Sequence, residues 1–395
     1  MNKSKKALII IVAIIVLAGT GGAAAWYYYA NTADTEQTNT TSTSNATSVA
    51  ADDSDDIDWA ILPTTNVTLT DEGYAVTAAG TYVLSGGSTG QVTVNTDGYV
   101  RLVLDGVTIK SSKGAAIYVE NAKKAVVQLA DGSKNTVEDA ATRSDEDIDG
   151  AIYSSDDLVI NGSGSLAVTA NFADGIVGKD DLWITSGTIT VASVDDGIRG
   201  KDSLNISGGT ITIDAKGDGM KSSNDTDLGK GQLVIAGGDI TISSGDDAIK
   251  AEQKISITGG KVNVKTSVEG IEAPVIVIDD GDIKVYATDD GINSSASNII
   301  TTGLSLTISG GTVYVEVGQG DTDAIDCNGD ITINGGTITI IATTSSIDYD
   351  GTGTFSGGTL TINGTVFTEL PAQQGPGGSL TTGSSSTGSG MGGRR

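Results

Sequence analysis

The sequence contains no histidine. That removes the commonest general base and transition-metal ligand in proteins. A single cysteine, Cys327, excludes an intramolecular disulfide. Aromatic residues make up only 4% of the chain, too few for recognition to rest mainly on ring stacking. Positive charge is also scarce: 23 Lys and Arg stand against 50 Asp and Glu, a formal charge of -27. Such acidity argues against nucleic acid and anionic membrane surfaces as partners, and it suits a surface that attracts cations. No segment carries a sustained helical period.

What the chain does have is glycine, 55 residues of it, and an internal repeat. An acidic residue, a small residue and an aliphatic residue recur in order: Asp149-Gly150-Ala151-Ile152, Asp174-Gly175-Ile176, Asp196-Gly197-Ile198, Asp218-Gly219-Met220, Asp247-Ala248-Ile249, Glu269-Gly270-Ile271, Asp290-Gly291-Ile292 and Asp323-Ala324-Ile325. Their aliphatic members lie 24, 22, 22, 29, 22, 21 and 33 residues apart, a base period near 22 with two insertions. Between these elements stand Leu-x-Ile runs such as Leu182-Trp183-Ile184 and Leu204-Asn205-Ile206. Glycine turns such as Gly208-Gly209 follow, then runs such as Ile211-Thr212-Ile213. Three short strands and three turns in about 22 residues describe one coil of an all-β solenoid, a single-stranded parallel β-helix. Aliphatic rows then face inward, like stacks on like about 4.8 Å apart, and glycine supplies positive φ at the turns. The insertions at 222–231 and 294–303 are expected as loops beside the acidic element.

The ends of the chain read differently. Lys3, Lys5 and Lys6 precede an uncharged run, so residues 1–30 are expected to be a signal anchor or signal peptide. Ala23-Ala24-Ala25 offers a cleavage site, whereas Trp26-Tyr27-Tyr28-Tyr29 resembles an aromatic belt closing a membrane span. Thr20 stands where a lipidated cysteine would have to be, which excludes a lipoprotein anchor there. Either way the remainder is expected outside the cell, at the surface or held to the membrane by this segment. Residues 31–58 form a Ser/Thr/Asp linker, 59–369 the repeat domain, and 370–395 a Gly/Ser-rich tail.

In stacked coils Asp174, Asp196, Asp218, Asp247, Glu269 and Asp290 form a column, with Asp195, Asp246 and Asp289 beside it. Carboxylates about 5 Å apart repel by roughly 1 kcal/mol in water and about 3–4 kcal/mol at an effective dielectric of 20. Three remedies are open. Calcium ions can sit between carboxylates, basic neighbours can interleave, or the side chains can cap turn amides. Asp145-Glu146-Asp147-Ile148-Asp149-Gly150 also matches the first half of a calcium loop, with Asp145, Asp147 and Asp149 as ligands and Asp156 at the twelfth position. The residue after each aliphatic should point outward, giving the row Val177, Arg199, Lys221, Lys250, Glu272, Asn293, Asp326. Arg199, Lys201, Lys221 and Lys250 are candidate contacts for an acidic polysaccharide, unless salt bridges to the column occupy them. Trp183, outward between inward Leu182 and Ile184, is a candidate sugar-stacking residue. Cys327 should face inward as a small core residue.

With these residues in hand, the chain resembles bacterial surface carbohydrate-binding proteins with a pectate-lyase-like parallel β-helix. The resemblance rests on Ala79-Gly80-Thr81-Tyr82-Val83-Leu84-Ser85-Gly86, Leu104-Asp105-Gly106-Val107-Thr108-Ile109, Ala115-Ala116-Ile117-Tyr118, Gly132-Ser133-Lys134-Asn135-Thr136 and the acidic-Gly-Ile coils, over roughly residues 61–365. It implies a right-handed helix that contains calcium and binds acidic plant cell-wall polysaccharide such as polygalacturonate, with cellulose as a further ligand and no established catalysis. A monomer is expected. Two other readings stay open. A calcium-dependent polysaccharide lyase would use Lys201, Lys221 or Lys250 as the base. An adhesin stalk would need only the fold. Threonine ladders such as Thr188/Thr190 and Thr210/Thr212 suggest an ice-binding face, but Asp239, Lys261, Asn263, Asp282 and Lys284 interrupt them.

Overall fold

The computed structural model describes residues 52, 54–319 and 322–372. The chain divides into two compact units, Met1–Asn45 and Ala46–Arg395, and the described residues all belong to the second. The expected N-terminal signal segment, most of the linker and the tail beyond 372 lie outside the described residues. Among the described residues no helix is long and apolar enough to cross a membrane.

The fold is all-β with parallel strands. A 20-stranded sheet and a 12-stranded sheet account for the strands, and the only helices among the described residues are two short 3-10 turns, Ser54–Asp56 and Trp59–Ile61. Except for the last strand, the strands pair in parallel with their counterparts one repeat along. In the smaller sheet Ile176 pairs with Ile198, Ile198 with Met220, Met220 with Ile249 and Ile249 with Ile271. In the larger sheet Leu182 pairs with Leu204, Leu204 with Leu233 and Leu233 with Ile255. The alternation of aliphatic and polar residues therefore becomes continuous inward rows. Ile176, Leu182, Ile198, Leu204 and Ile211 are fully buried, and they belong to one hydrophobic cluster running from Val67 to Ile362. Cys327 lies in that cluster, as expected of a core residue.

Glycine serves two different ends. At Gly209 the backbone turns with φ at 93°, a conformation that side chains with a Cβ rarely adopt. Gly197 has no such φ. A Cβ there would lie 2.5 Å from the Gly219 carbonyl oxygen and from Ile213, so space between coils requires the small residue.

At the C-terminal end of the described chain Thr365–Phe367 turns back antiparallel onto Leu360–Ile362. Near the N-terminal end Trp59 packs sideways against a cluster of Val126, Val159 and Trp183 on the outer face of the larger sheet. The last residues of the expected linker are thus ordered here, with the Trp59 indole donating to the Ser54 carbonyl.

Candidate functional site

Capping accounts for one of the three remedies for the acidic column. The Asp196 amide donates to Asp174 Oδ1 at 3.1 Å, the Asp218 amide to Asp196 Oδ1 at 2.8 Å, the Asp247 amide to Asp218 Oδ1 at 3.0 Å, and the Asp323 amide to Asp290 Oδ1 at 2.8 Å. Each carboxylate caps the backbone of the next coil. These side chains are short enough to reach one strand spacing and no further, which fixes aspartate as the residue type.

Ion pairing accounts for a second. The outward row is in register from Val177 through Arg199, Lys221, Lys250, Glu272, Asn293 and Asp326 to Asp348. Arg199 pairs with Asp149, and it reaches Asp174 at 2.6 Å and Asp196 at 3.9 Å. Lys221 lies 2.7 Å from Asp218 and 3.5 Å from Asp196. Lys250 lies 2.7 Å from Asp247 and also pairs with Glu272. Burial acts to lower the pKa of all three cations, but the flanking carboxylates outweigh it and hold each above its ordinary value. Burial raises Asp174, against the pull of the Arg199 fork.

Beyond Lys250 the row carries no further basic residue. Glu269 is pushed up to about 7 by burial and then by the charges of Glu272 and Asp290. Asp290 also rises to about 7, through burial and in spite of its bond from the Asp323 amide. Asp326 rises to about 6 through burial and the charges of Asp323 and Asp348.

Three acidic groups bring ligand oxygens within 4.8 Å of one another: Asp174, Asp195 and Asp196; Asp218, Asp246 and Asp247; and Asp247, Glu269 and Glu272. All their donors are carboxylate oxygens, the set that hard cations such as calcium or magnesium prefer. Asp195, Asp246 and Asp289 are exposed beside the column. A cleft of about 270 Å³ lined by Asp149, Asp174, Asp195, Asp196, Arg199 and Lys221 opens over the first group.

Several expected site residues are placed otherwise. The calcium loop is not assembled: Asp145 and Asp147 are exposed, while Asp149 turns to Arg199. Within the loop Asp145 Oδ1 accepts only the local Asp147 amide among the bonds seen. The physical reason is a residue without a signal in the repeat, Arg143. Its buried guanidinium pairs with Asp139, donates to the Ile148 and Gly150 carbonyls, and stacks on Phe172 at 4.3 Å. That anchor presses Ile148 toward a small cluster of Ala115, Tyr153 and Val177, so Val177 is covered although it belongs to the outward row. Trp183 is 5% exposed, packed with Val126, Val159 and Trp59 under the Lys124 ammonium at 4.5 Å. It has no free ring face for a sugar, which corrects its assignment as a stacking residue. Lys201 lies past the end of strand Ile198–Gly200, two residues beyond the row formed by Arg199, Lys221 and Lys250.

Comparison with known proteins gives these features a context. A family model described as carbohydrate-binding domain-containing protein matches residues 70–322 and 269–367. A carbohydrate-binding domain-containing protein of Acetivibrio thermocellus is 43% identical over 124 residues, which are 29% of this chain and 43% of that protein. The match thus spans less than half of that relative's length. The solved structure of a polysaccharide lyase-like protein from C. thermocellum, in a gadolinium derivative, is 34% identical and covers 52% of this chain and 96% of that one, with a TM-score of 0.47.

Proposed function

The chain belongs to the family of carbohydrate-binding domain-containing proteins, and from that premise we propose that it binds an acidic polysaccharide without cleaving it, through calcium held on the acidic ladder. The parallel, repeat-by-repeat register supports reading the fold as a right-handed single-stranded β-helix, an extended scaffold suited to an extended polymer. Exported display at the cell surface, through the N-terminal segment, completes the reading.

One observation carries it. The three basic side chains on the outward row are each held between carboxylates of the ladder. Their charge is spent inside the protein, so little of it is left for the carboxylates of a uronate chain. A bound divalent cation supplies the missing attraction: it takes oxygen ligands from exposed residues such as Asp195 and Asp246 and leaves others for the polymer. The same observation weighs against the lyase. A base for β-elimination must give up its proton near the working pH, whereas Lys221 and Lys250 are held protonated by their neighbours.

The test is retention on immobilised polygalacturonate with calcium and with chelator, while ultraviolet absorbance is followed for unsaturated product. Retention in calcium, release by chelator and no product are expected. Product that disappears in Lys221→Ala would establish the lyase instead. Retention indifferent to chelator would remove calcium from the reading.

A further inference from the structure

The outer face of the larger sheet carries a row of its own, Arg101, Val126, Val159 and Trp183, in continuous register. It extends over three strand spacings, about 14 Å. Cations gather on aromatic rings around it. The Arg101 guanidinium lies 4.8 Å over Trp59, and the Lys124 ammonium 4.5 Å over Trp183. The Lys123 ammonium lies 4.5 Å over Tyr99, the residue paired with Lys124. Lys124 meets Asp157 at 3.4 Å, and Arg101 is braced on Thr81 Oγ1 at 3.2 Å. Among the described residues neither Arg101 nor Lys123 is in an ion pair, in contrast to the cations of the acidic ladder.

What covers this face is the segment 54–62, the end of the acidic linker. Its Trp59 lies on Val126, Val159 and Trp183, so a side chain from outside the sheet, and not the sheet itself, hides Trp183. The segment bonds chiefly to itself. The amides of Ile57, Trp59, Ile61 and Leu62 donate to carbonyls within it, and so does the Trp59 indole. Ile61 is 78% exposed, and a cavity of about 240 Å³ lies between the segment and Tyr99. A stretch packed this loosely opens at low free energy. It is also acidic, with Asp56 and Asp58 both exposed. A ring flanked by carboxylates, seated among cations, presents the same chemistry as a uronate chain.

We propose that this face is a second site for an acidic polysaccharide, one that needs no metal, and that the segment 54–62 occupies it as a built-in competitor. When the segment lifts, a sugar ring takes the place of the Trp59 indole on Val126, Val159 and Trp183, and polymer carboxylates meet Arg101 and Lys123. The proposal rests on the preceding reading only for the class of polymer. Its site lies on a different sheet from the acidic ladder and involves none of the ladder's residues.

The decisive variant is Trp59→Ala, which empties the seat. Oligogalacturonate is titrated calorimetrically into full-length protein in chelator at low salt. A seat covered nine-tenths of the time or more hides at least about tenfold in affinity, so Trp59→Ala is expected to bind at least that much more tightly than wild type. Adding Arg101→Ala and Lys123→Ala is expected to abolish the gain. Asp58→Ala removes the side chain that caps the turn Trp59–Ile61 and so loosens the segment with Trp59 still present. It should bind more tightly than Asp58→Asn, which loses the same charge and keeps a capping oxygen. That pair decides the matter if Trp59→Ala fails to fold. No gain in Trp59→Ala, a gain that survives the loss of Arg101 and Lys123, or equal affinities in the Asp58 pair overturns the proposal. Retention of wild type in calcium is measured separately. A gain in chelator without calcium-dependent retention sinks only the preceding reading, and calcium-dependent retention without the gain sinks only this one.

Discussion

The two halves of the acidic ladder share a backbone and differ in their cations. From Asp149 to Asp247 every carboxylate of the column has a guanidinium or ammonium within 4.0 Å. From Glu269 onward the outward row offers Glu272, Asn293, Asp326 and Asp348 instead. In the first half each column carboxylate meets a basic side chain, though three cations are shared among five carboxylates. In the second half the outward row adds no basic side chain beyond Lys250. The contrast shows that a repeat can keep its inward rows and register unchanged while the charge pattern of its outward row changes within one rung.

The largest blow to this comparison comes from Arg199→Ala. It leaves Asp149 and Asp174 without a cationic partner, while Asp196 keeps Lys221, and breaking such a buried set costs about 3–5 kcal/mol. Urea unfolding should show that loss; a change under about 1 kcal/mol would mean that the first half does not depend on its cations. Lys250→Gln is milder because the ammonium is 30% exposed, and roughly 2 kcal/mol is expected. It also turns the last paired rung into an open one, so calorimetric titration should reveal an added divalent cation between Asp247 and Glu272.

Acidity acts on both halves, since burial also raises Asp174 to about 7 and raises Asp247 against the pull of Lys250. Glu269, Asp290 and Asp326 have folded-state values near 7, 7 and 6, above their ordinary range. Groups raised in this direction favour the folded state while protonated, so their contribution is complete below about pH 4 and is lost as the pH climbs through 6 and 7. In chelator the melting temperature of wild type should fall over that window. Each kcal/mol lost corresponds to roughly 2–4 °C, and solvent reaching these side chains keeps the total modest. Asn293→Lys, which sets an ammonium beside Glu269, should lessen the slope, and calcium should lessen it if the ion binds the ladder. A slope equal in all three samples would remove the distinction. Smallest is Asp289→Asn, an exposed change expected to move stability by less than about 0.5 kcal/mol. Its effect should appear instead as weaker retention on the polysaccharide in calcium.

Much of this was legible in the residues. The 22-residue period, the inward aliphatic rows and the outward row from Arg199 to Asp326 follow from alternation and spacing, because parallel register converts sequence repetition directly into neighbours in space. What the spacing does not carry is where a long side chain ends. Arg199, Lys221 and Lys250 are candidates to meet a ligand, yet each curls onto the column, Arg199 toward earlier coils and Lys221 and Lys250 onto the aspartate three residues before them. Trp183 points outward as alternation requires, and its burial depends on Trp59, more than a hundred residues earlier. The calcium-loop motif has the right acidic spacing, but Arg143 holds its frame and Asp149 serves another partner. Arg143 sits in an insertion outside the repeat, where periodicity is silent.

The bonds from Asp174 to Asp196, Asp218 and Asp247 all run the same way along the stack. Such a bond is indifferent to which coil supplies its partner. Duplicating or removing one whole unit of 22 residues between Asp174 and Asp218 leaves the capping bonds on either side with the same kind of partner. Chain length is thus a quantity that can change in whole steps without touching what joins the units. Each step lengthens or shortens the reach along a polymer by one strand spacing, about 4.8 Å.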